Sequence, residues 1–281
     1  MEGIDQLVSK ALEKKENKNI DRDFARELVE EAVQENGELY DSVKEKAFNE
    51  RSKEFKSLIK AIRRKIRDVY GVFFKTILSE KKREAFIERA EEDEVLEEVM
   101  EYHLSTSERL DDYPFLYEAF EEFFGTVSSF GDIGCGYNPL STIYFDDVTT
   151  IRFSDISKVE NEFVERLLDR RGVDVKSAVI DVSDDKGIMR ASDLVEGVDI
   201  CFLFKVLDSV ESKNRGKSEF IIKTLMAAVK KGIIVSFSNR TISGKNLITS
   251  ERQWFQNILD ELDYEVKPVG TLNEDYYLLK K

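Results

Sequence analysis

The stretch from Ser129 to Leu140, SFGDIGCGYNPL, contains residue types that bind a ligand through the backbone. Gly134, Cys135 and Gly136 follow an apolar run that predicts a buried strand, and Pro139 suits the first turn of a following helix. Glycines let the chain turn sharply and approach a ligand closely, while a helix N-terminus offers unpaired N–H groups. The stretch therefore predicts a site for a nucleotide-like cofactor, with an ordinary glycine loop as the alternative.

The residues around the glycines favour one cofactor over another. A dinucleotide fingerprint has a third glycine at the position that Pro139 occupies here. Asp132 stands two residues before Gly134, and an acid-x-Gly-x-Gly turn after a strand resembles the S-adenosylmethionine (SAM) turn of Rossmann-like methyltransferases. The turn therefore predicts SAM as the cofactor.

Strands and helices alternate after the glycine turn, which predicts a parallel sheet covered on both faces. Asp155 ends the second strand 21 residues beyond Gly134, a spacing that suits a carboxylate bound to two ribose hydroxyls. Asp181 ends the third strand, where we expect it to meet the adenine edge. Capping of a helix is the alternative for both aspartates. The segments 264–269 and 275–279 predict a closing antiparallel hairpin.

Lys205 ends the fourth strand, which is nearly continuous in apolar residues and is therefore expected to be buried on both faces. The carboxyl ends of the strands are where open α/β sheets bind their ligands. Lys205 is therefore expected to lie at the ligand-binding end of the sheet.

Residues 1–104 contain no proline, three glycines and apolar residues at helical spacing, which predicts an all-helical domain ahead of a sheet domain at 105–281. The charge of the helical domain is uneven, with twelve basic and three acidic residues over 51–83 and nine acidic residues against one arginine over 84–101. A charged helix face is either simply solvated or a surface for phosphates. We predict RNA docking there, through Arg63, Arg64 and Arg67.

Composition limits the classes of protein that the chain can belong to. It has 281 residues, a net charge of −14 and 41% hydrophobic residues, which support a folded core and argue against nucleic-acid binding through bulk charge. Cys135 and Cys201 are the only cysteines; their spacing fits no metal site and their number excludes a disulfide scaffold. No signal peptide or membrane-spanning apolar run is present, so we expect a cytoplasmic protein without membrane contact and without metal.

Four motifs within about 103–279 together resemble the aminoglycoside-resistance 16S ribosomal RNA methyltransferases that modify guanine N7. They are His103-Leu-Ser-Thr-Ser-Glu-Arg109, Gly134-Cys-Gly-Tyr-Asn-Pro-Leu140, Leu203-Phe-Lys205, and Val235-Ser-Phe237 with Ser243-Gly-Lys245. The resemblance implies an α/β fold, a Rossmann-like SAM methyltransferase sheet with an N-terminal all-helical domain. It also implies an enzyme that acts on ribosomal RNA or the small ribosomal subunit, and we expect this enzyme to be a monomer.

The resemblance further implies roles for individual residues. The glycine turn would line the methionine part of SAM, Arg109 and His103 would hold its carboxylate, and the strand-end aspartates would hold the ribose and the adenine. The implied cofactor-binding residues are His103, Arg109, Gly134, Cys135, Gly136, Asp155, Ile156, Asp181, Val182 and Phe204. Lys205 is the implied catalytic residue and would face the RNA together with Ser243 and Lys245.

The segment after the fourth strand bears on which atom is methylated. Amino methyltransferases often carry Asn/Asp-Pro-Pro-aromatic there, whereas this chain has Lys205-Val-Leu-Asp208. Guanine N7 has an available lone pair and needs no proton removed, so the missing motif favours a ring nitrogen as the target. Two alternatives stay open: a small-molecule or protein methyltransferase with the helical domain as a lid, and a non-catalytic SAM-binding protein.

Overall fold

The computed structural model describes residues 2–14, 20, 22–67, 78–145, 147–239 and 252–281. They form two compact units, one within Met1–Ile77 together with Ile156–Val159 and the other within Leu78–Asp155 and Glu160–Lys281. The helices at 80–88 and 93–100, which the sequence assigns to the amino-terminal domain, belong to the second unit. The division at residue 104 into an RNA-docking and a methyl-transfer domain stays a prediction.

The first unit is helical in its described residues. Its four helices are α1 (Glu2–Leu12), α2 (Arg22–Glu35), α3 (Gly37–Glu45) and α4 (Lys53–Ile66). The apolar stripe of α4 is buried against α1 and α2, as its helical spacing predicts, and includes Leu58, Ile62 and Ile66. Ser52 caps α4 because its hydroxyl accepts the N–H of Phe55 at 3.1 Å.

Four helices precede the sheet in the second unit: α5 (Glu80–Glu88), α6 (Asp93–Met100), α7 (Leu104–Ser107) and α8 (Tyr113–Phe124). Arg83 on α5 corrects one expectation from the sequence, because it belongs to the predicted phosphate-docking run yet is buried. Its Nη2 donates to the buried carboxylate of Glu160, which also accepts the hydroxyl of Tyr137 at 2.5 Å. A buried, paired arginine is not available to RNA.

The seven strands form one sheet in the order β3-β2-β1-β4-β5-β7-β6. All neighbouring pairs are parallel except β5–β7 and β6–β7, so the predicted closing antiparallel hairpin is confirmed. The strands are β1 (Ser129–Ile133), β2 (Thr150–Asp155), β3 (Asp174–Val179), β4 (Ile200–Phe204), β5 (Gly232–Ser238), β6 (Glu265–Gly270) and β7 (Glu274–Lys280). Strand order reverses between β1 and β4, and the crevice outside their carboxyl ends is the expected ligand position.

Helices cover both faces of the sheet, which confirms the predicted α/β architecture. The remaining helices are α9 (Lys158–Arg170), α10 (Asp185–Leu194), α11 (Leu207–Lys213), α12 (Lys217–Ala228) and α13 (Gln253–Glu261). Alternate residues of β4 serve the two faces: Cys201 and Leu203 share a core with α10 to α12, while Phe202 meets Phe120 of α8 at 5.9 Å between ring centroids.

Between β1 and β2 the chain forms a 3-10 helix, Asn138–Tyr144, where the sequence predicted a helix containing Pro139. Within the described residues, no helix is both long and apolar enough to cross a membrane, and no group of acidic, His or Cys side chains is arranged to hold a metal ion.

Candidate functional site

The glycine turn after β1 has the conformation that its sequence predicts. Gly134 and Gly136 have φ angles of 69° and 53°, in the left-handed region that favours glycine. A Cβ on Gly134 would lie 2.7 Å from a methyl of Val206, and one on Gly136 would lie 2.6 Å from the ring of His103. The turn is tied to β2 because the carbonyl of Ser154 accepts the N–H of Gly134 at 2.8 Å. Only glycines fit this turn, so the ordinary-loop alternative loses support.

Asp155 at the end of β2 faces the turn. Its Oδ2 accepts the N–H of Gly136 at 2.9 Å, which places the carboxylate beside the glycines. Asp181, at the corresponding place after β3, accepts the N–H of Ser183 at 2.8 Å, and Asp184 caps α10 by accepting the N–H of Gly187. The capping alternative for Asp181 is therefore wrong.

Asp132 lies fully buried at the end of β1. Asn138 donates to its Oδ2 at 2.7 Å, while its Oδ1 has no hydrogen-bond partner within the described part of the chain. Burial raises the pKa of Asp132 to about 7, against which Asn138 and Arg109 act only partly. Asp132, the acid of the SAM-like motif, therefore titrates near neutral pH and keeps one oxygen available for a further hydrogen bond.

Replacing Asp132 by Asn should change how stability depends on pH. With a folded-state pKa of about 7, the neutral carboxyl contributes stability that is lost as pH rises from about 4, the ordinary aspartate value, to about 7. The Asn variant cannot ionise, so its free energy of unfolding relative to wild type should increase over that interval. Urea unfolding from pH 4 to 8 measures this difference, and a difference independent of pH would contradict the prediction.

His103 forms the wall behind the turn. It is buried, its ring lies against Gly136, and its centroid is 5.6 Å from that of Tyr137. Burial, together with the charges of Arg109 and Lys205, lowers the pKa of His103 to about 3, so the imidazole is neutral. A neutral ring can offer a hydrogen bond but not an ion pair to a cofactor carboxylate.

Arg109, after α7, is buried and bound by an acid that sequence analysis missed. Its Nε and Nη2 donate to Oε2 and Oε1 of Glu274 at 2.9 and 3.0 Å, and its Nη1 donates to Asn138 at 3.3 Å. The guanidinium also lies 4.7 Å from the ring centre of Phe204 at the end of β4. An arginine has five N–H groups, so Nη1 and Nη2 each keep one N–H for a further acceptor.

Lys205 is the most unusual backbone position of the site. Its φ is 59°, a left-handed conformation that costs a residue other than glycine roughly 1–2 kcal/mol. Its Nζ lies 2.9 Å from Glu108 Oε2 and 3.2 Å from Glu274 Oε2. The backbone N–H donates to the carbonyl and the hydroxyl of Ser236 at 3.1 and 3.2 Å. The structure thus brings Lys205 and Arg109 onto one carboxylate.

The other predicted cofactor residues lie along the same sheet edge. Cys135 is buried and burial raises its pKa above the usual thiol range, so it is an uncharged lining residue. Val182 is buried just after Asp181. Ile156 directly follows β2 and is grouped with the first unit, and its cofactor contact stays a prediction. Ser243 and Lys245 lie outside the described residues.

Three site residues escaped the sequence analysis: Glu274, Ser236 and Tyr113. Tyr113 donates to Oδ1 of Asn138 at 2.8 Å, and the hydroxyl of Ser236 donates to Glu274. Asn138 and Ser236 stand inside the quoted motifs, which was a usable signal. Glu274 opens the closing hairpin, and its sequence neighbours give no indication of its role.

A basic groove of about 700 Å³ lies in the first unit. Eight basic residues line it with one acid, Glu50, over the apolar residues Phe55 and Ile59. The bases are Lys10, Lys14, Arg51, Lys56, Lys60, Arg63, Arg64 and Arg67. All three arginines predicted to bind substrate therefore lie in one groove. Arg63 also has a structural role, because its Nη2 donates to the carbonyl of Lys10 at 2.7 Å and joins α4 to α1.

The residues at the edge of the sheet fit SAM. The glycine turn leaves a space that a Cβ would fill, and the carboxylate of Asp155 lies beside it for the ribose hydroxyls. Asp132 has a buried oxygen without a hydrogen-bond partner among the described residues, and Arg109 has two further N–H groups. These groups match the polar ends of SAM.

Comparison with known proteins places the chain in a family. The 16S rRNA (guanine(1405)-N(7))-methyltransferase of Micromonospora echinospora is 26% identical over 240 residues, which cover 79% of this chain and 82% of that protein. Its namesake from Proteus mirabilis is 29% identical over 252 residues, 80% of this chain and 85% of that one. The crystal structure of 16S rRNA methyltransferase RmtF in complex with S-adenosyl-L-homocysteine has a TM-score of 0.75 at 21% identity, with 100% and 99% of the chains covered, which shows a shared fold.

The family model described as ribosomal RNA methyltransferase (FmrO) matches residues 42–274, which include all four motifs quoted for the resemblance. Because this match spans most of the sequence, the chain belongs to the FmrO family of ribosomal RNA methyltransferases.

Proposed function

We propose that the protein transfers the methyl group of SAM to N7 of a guanine in small-subunit ribosomal RNA, and that it acts as a monomer in the cytoplasm, where ribosomal subunits reside. The observation that carries the proposal is the position of Lys205 directly after β4, which pairs with β1, and directly before Val206, which packs against Gly134 of the glycine turn. The glycine turn proposed to bind SAM and the Lys205 side chain proposed to contact the target guanine thus follow neighbouring strands at the same edge of the sheet.

The cofactor supplies a methyl group on a sulfonium, and the residues of the chain bind and align it. Asp155 is assigned to the ribose hydroxyls, Asp181 to the adenine edge, and the spare N–H groups of Arg109 to the carboxylate. The buried walls formed by Cys135, Val182 and Phe204 exclude water.

No general base is needed in this proposal, and the described carboxylates near Lys205 agree with that. Glu108 and Glu274 are ion-paired with Lys205, and Asp208 is held by Arg252 at 2.8 to 3.1 Å. Each of the three already serves as a counter-ion. Guanine N7 presents a lone pair without a proton, so positioning is the main task of the protein.

Transfer of labelled methyl from SAM to free small subunits, total RNA and protein tests the proposal. We expect label in small-subunit RNA at a site that borohydride and aniline cleave, with a rate at saturating SAM nearly flat from about pH 6 to 9 because no general base takes part in the methyl transfer. A methylated RNA that resists this cleavage, or label in protein alone, would overturn the N7 assignment.

The basic groove is the proposed RNA-docking surface of the helical unit. Lys56, Lys60 and Arg64 recur every four residues along α4 and are exposed, so they form one row on the helix. Local positive charge governs counter-ion release even in a protein with a net charge of −14, because other charges are screened beyond about 8–10 Å.

Changing Lys56, Lys60 and Arg64 together to Glu should weaken RNA binding without affecting SAM binding. If all three contact phosphates, the slope of log K against log salt should fall by about 2–3. Filter binding of small-subunit RNA between 50 and 300 mM salt measures the slope, and calorimetry measures SAM affinity.

A matched variant separates groove binding from total charge. Lys44, Lys46 and Lys53 are exposed in the same unit but do not line the groove, and their change to Glu alters net charge equally. We expect this variant to keep most of its RNA affinity. Equal losses in both variants would contradict the groove assignment, and RNA affinity unchanged in both would favour a lid role for the helical unit.

A further inference from the structure

We propose that Glu274, at the start of β7, is a positioning residue for methyl transfer that holds the cofactor-binding Arg109 and the catalytic Lys205 through one carboxylate. The inference rests on the proposed function, because it takes Arg109 to contact SAM and Lys205 to contact the target base.

The contact with Arg109 fixes the direction of the guanidinium. The two carboxylate oxygens of Glu274 accept hydrogen bonds from Nε and Nη2 of Arg109, at 2.9 and 3.0 Å. The Glu274 side chain is 1% exposed and the Arg109 side chain 3%. The ring of Phe204 supports one face of the group. This side-on pairing leaves the Nη1–Nη2 edge as the one that can meet a cofactor carboxylate.

Glu274 also contacts Lys205, both directly and through Ser236. Oε2 of Glu274 lies 3.2 Å from the ammonium, and Oε1 accepts the hydroxyl of Ser236. That hydroxyl in turn accepts the backbone N–H of Lys205 at 3.2 Å. Glu274 therefore reaches Lys205 through the side chain and, by way of Ser236, through the strained backbone.

The charges explain why a carboxylate is required. Burial opposes ionisation of Glu274, but the charges of Arg109 and Lys205 outweigh burial and hold its pKa below the usual range. A glutamine has the same shape yet one acceptor oxygen, and its amide would point N–H groups at an N–H donor. Among the described residues, Lys205 would then keep an ion pair with Glu108, which is partly exposed, while the buried Arg109 would keep none.

The test uses purified full-length variants, SAM calorimetry and single-turnover methylation of small subunits. We expect Glu274→Gln to weaken SAM binding about 10-fold and to lower kcat about 100-fold. Lys205→Ala should lower kcat alone. The double variant Lys205→Ala with Glu274→Gln should have a kcat within about 3-fold of Lys205→Ala, because Glu274 acts on the chemical step through Lys205.

Asp199→Asn is the matched control. Asp199 is also a buried carboxylate, but it lies at the opposite end of β4, where Ser128 donates to it at 2.8 and 3.0 Å. We expect it to lower the melting temperature while SAM affinity and kcat stay within about 2-fold of wild type.

Losses that multiply in the double variant, or a Glu274→Gln variant that changes only its melting temperature, would overturn the proposal. If Lys205→Ala keeps wild-type kcat, the assignment of Lys205 in the proposed function fails, while unchanged SAM affinity in Glu274→Gln would separately refute the Arg109 support. Should Glu274→Gln not fold, Glu274→Asp retains the charge but is one methylene shorter. It should then fold and show the same double loss, and wild-type kinetics in that variant would refute the inference.

Discussion

A Lys205→Ala variant is expected to bind SAM with wild-type affinity and to lose roughly 100-fold in kcat, the scale of removing one positioned electrostatic group from an active site. The ammonium is held by Glu108 and Glu274 at 2.9 and 3.2 Å, so it is fixed before substrate arrives. Its removal takes away support for the target base without touching the residues assigned to the cofactor. Single-turnover methylation of small subunits and SAM calorimetry measure the two effects separately.

Lys205→Gly provides the control for this variant. Glycine adopts a φ of 59° without strain, so Lys205→Gly should unfold with a free energy about 1 kcal/mol higher than that of Lys205→Ala. Both variants should show the same loss of kcat. This pattern would mean that the lysine side chain is required for activity although it lowers stability. If either variant retains a third or more of wild-type kcat, the role assigned to Lys205 in the reaction is wrong.

Asp155→Ala is expected to weaken SAM binding by roughly 100-fold. Two hydrogen bonds from ribose hydroxyls to a charged carboxylate contribute about 1.5 kcal/mol each at the low end of their range, and 1.4 kcal/mol corresponds to a factor of ten. The variant also loses the acceptor for the N–H of Gly136, so the glycine turn is less well fixed. Calorimetric titration with SAM measures the affinity.

Asp174→Ala is the matched control for the ribose assignment. Asp174 begins β3 at the opposite edge of the same sheet, where it is exposed and paired with Arg152 at 2.7 Å. The chemical change is identical, and SAM affinity should stay unchanged. Equal affinities for the Asp155 and Asp174 variants would show that the ribose is bound elsewhere.

Much of the fold could be predicted because its signals are local. The helix α8, Tyr113–Phe124, is an aromatic-rich apolar stripe at helical spacing between Asp112 and Gly125, a pattern that indicates a helix without any long-range contact. Strand β2 ends at the predicted Asp155, and β4 ends at Phe204, immediately before Lys205, because each strand is an apolar run that ends at a turn. The glycine turn and Asp155 were identified for the same reason.

What could not be predicted depends on which distant residues meet. Arg83 belongs to a basic run in the sequence, but the position of Glu160 on α9 makes it a buried ion pair. Charge runs do not reveal which side of a helix faces the core. Likewise the sequence indicates an arginine for the cofactor, while its counter-ion Glu274 depends on the register by which β7 pairs with β5.

The pairing of Arg109 with Glu274 also has a consequence for biosynthesis. The two residues are 165 positions apart, and a translating ribosome adds about 5–20 residues per second. Arg109 therefore waits roughly 10 to 30 s for its counter-ion, and during that time the glycine turn, Lys205 and most of the sheet have already been made. A nascent chain with the glycine turn complete still lacks the carboxylate that pairs with Arg109 and Lys205, so the positioning proposed for Glu274 can begin only after those further residues have been made.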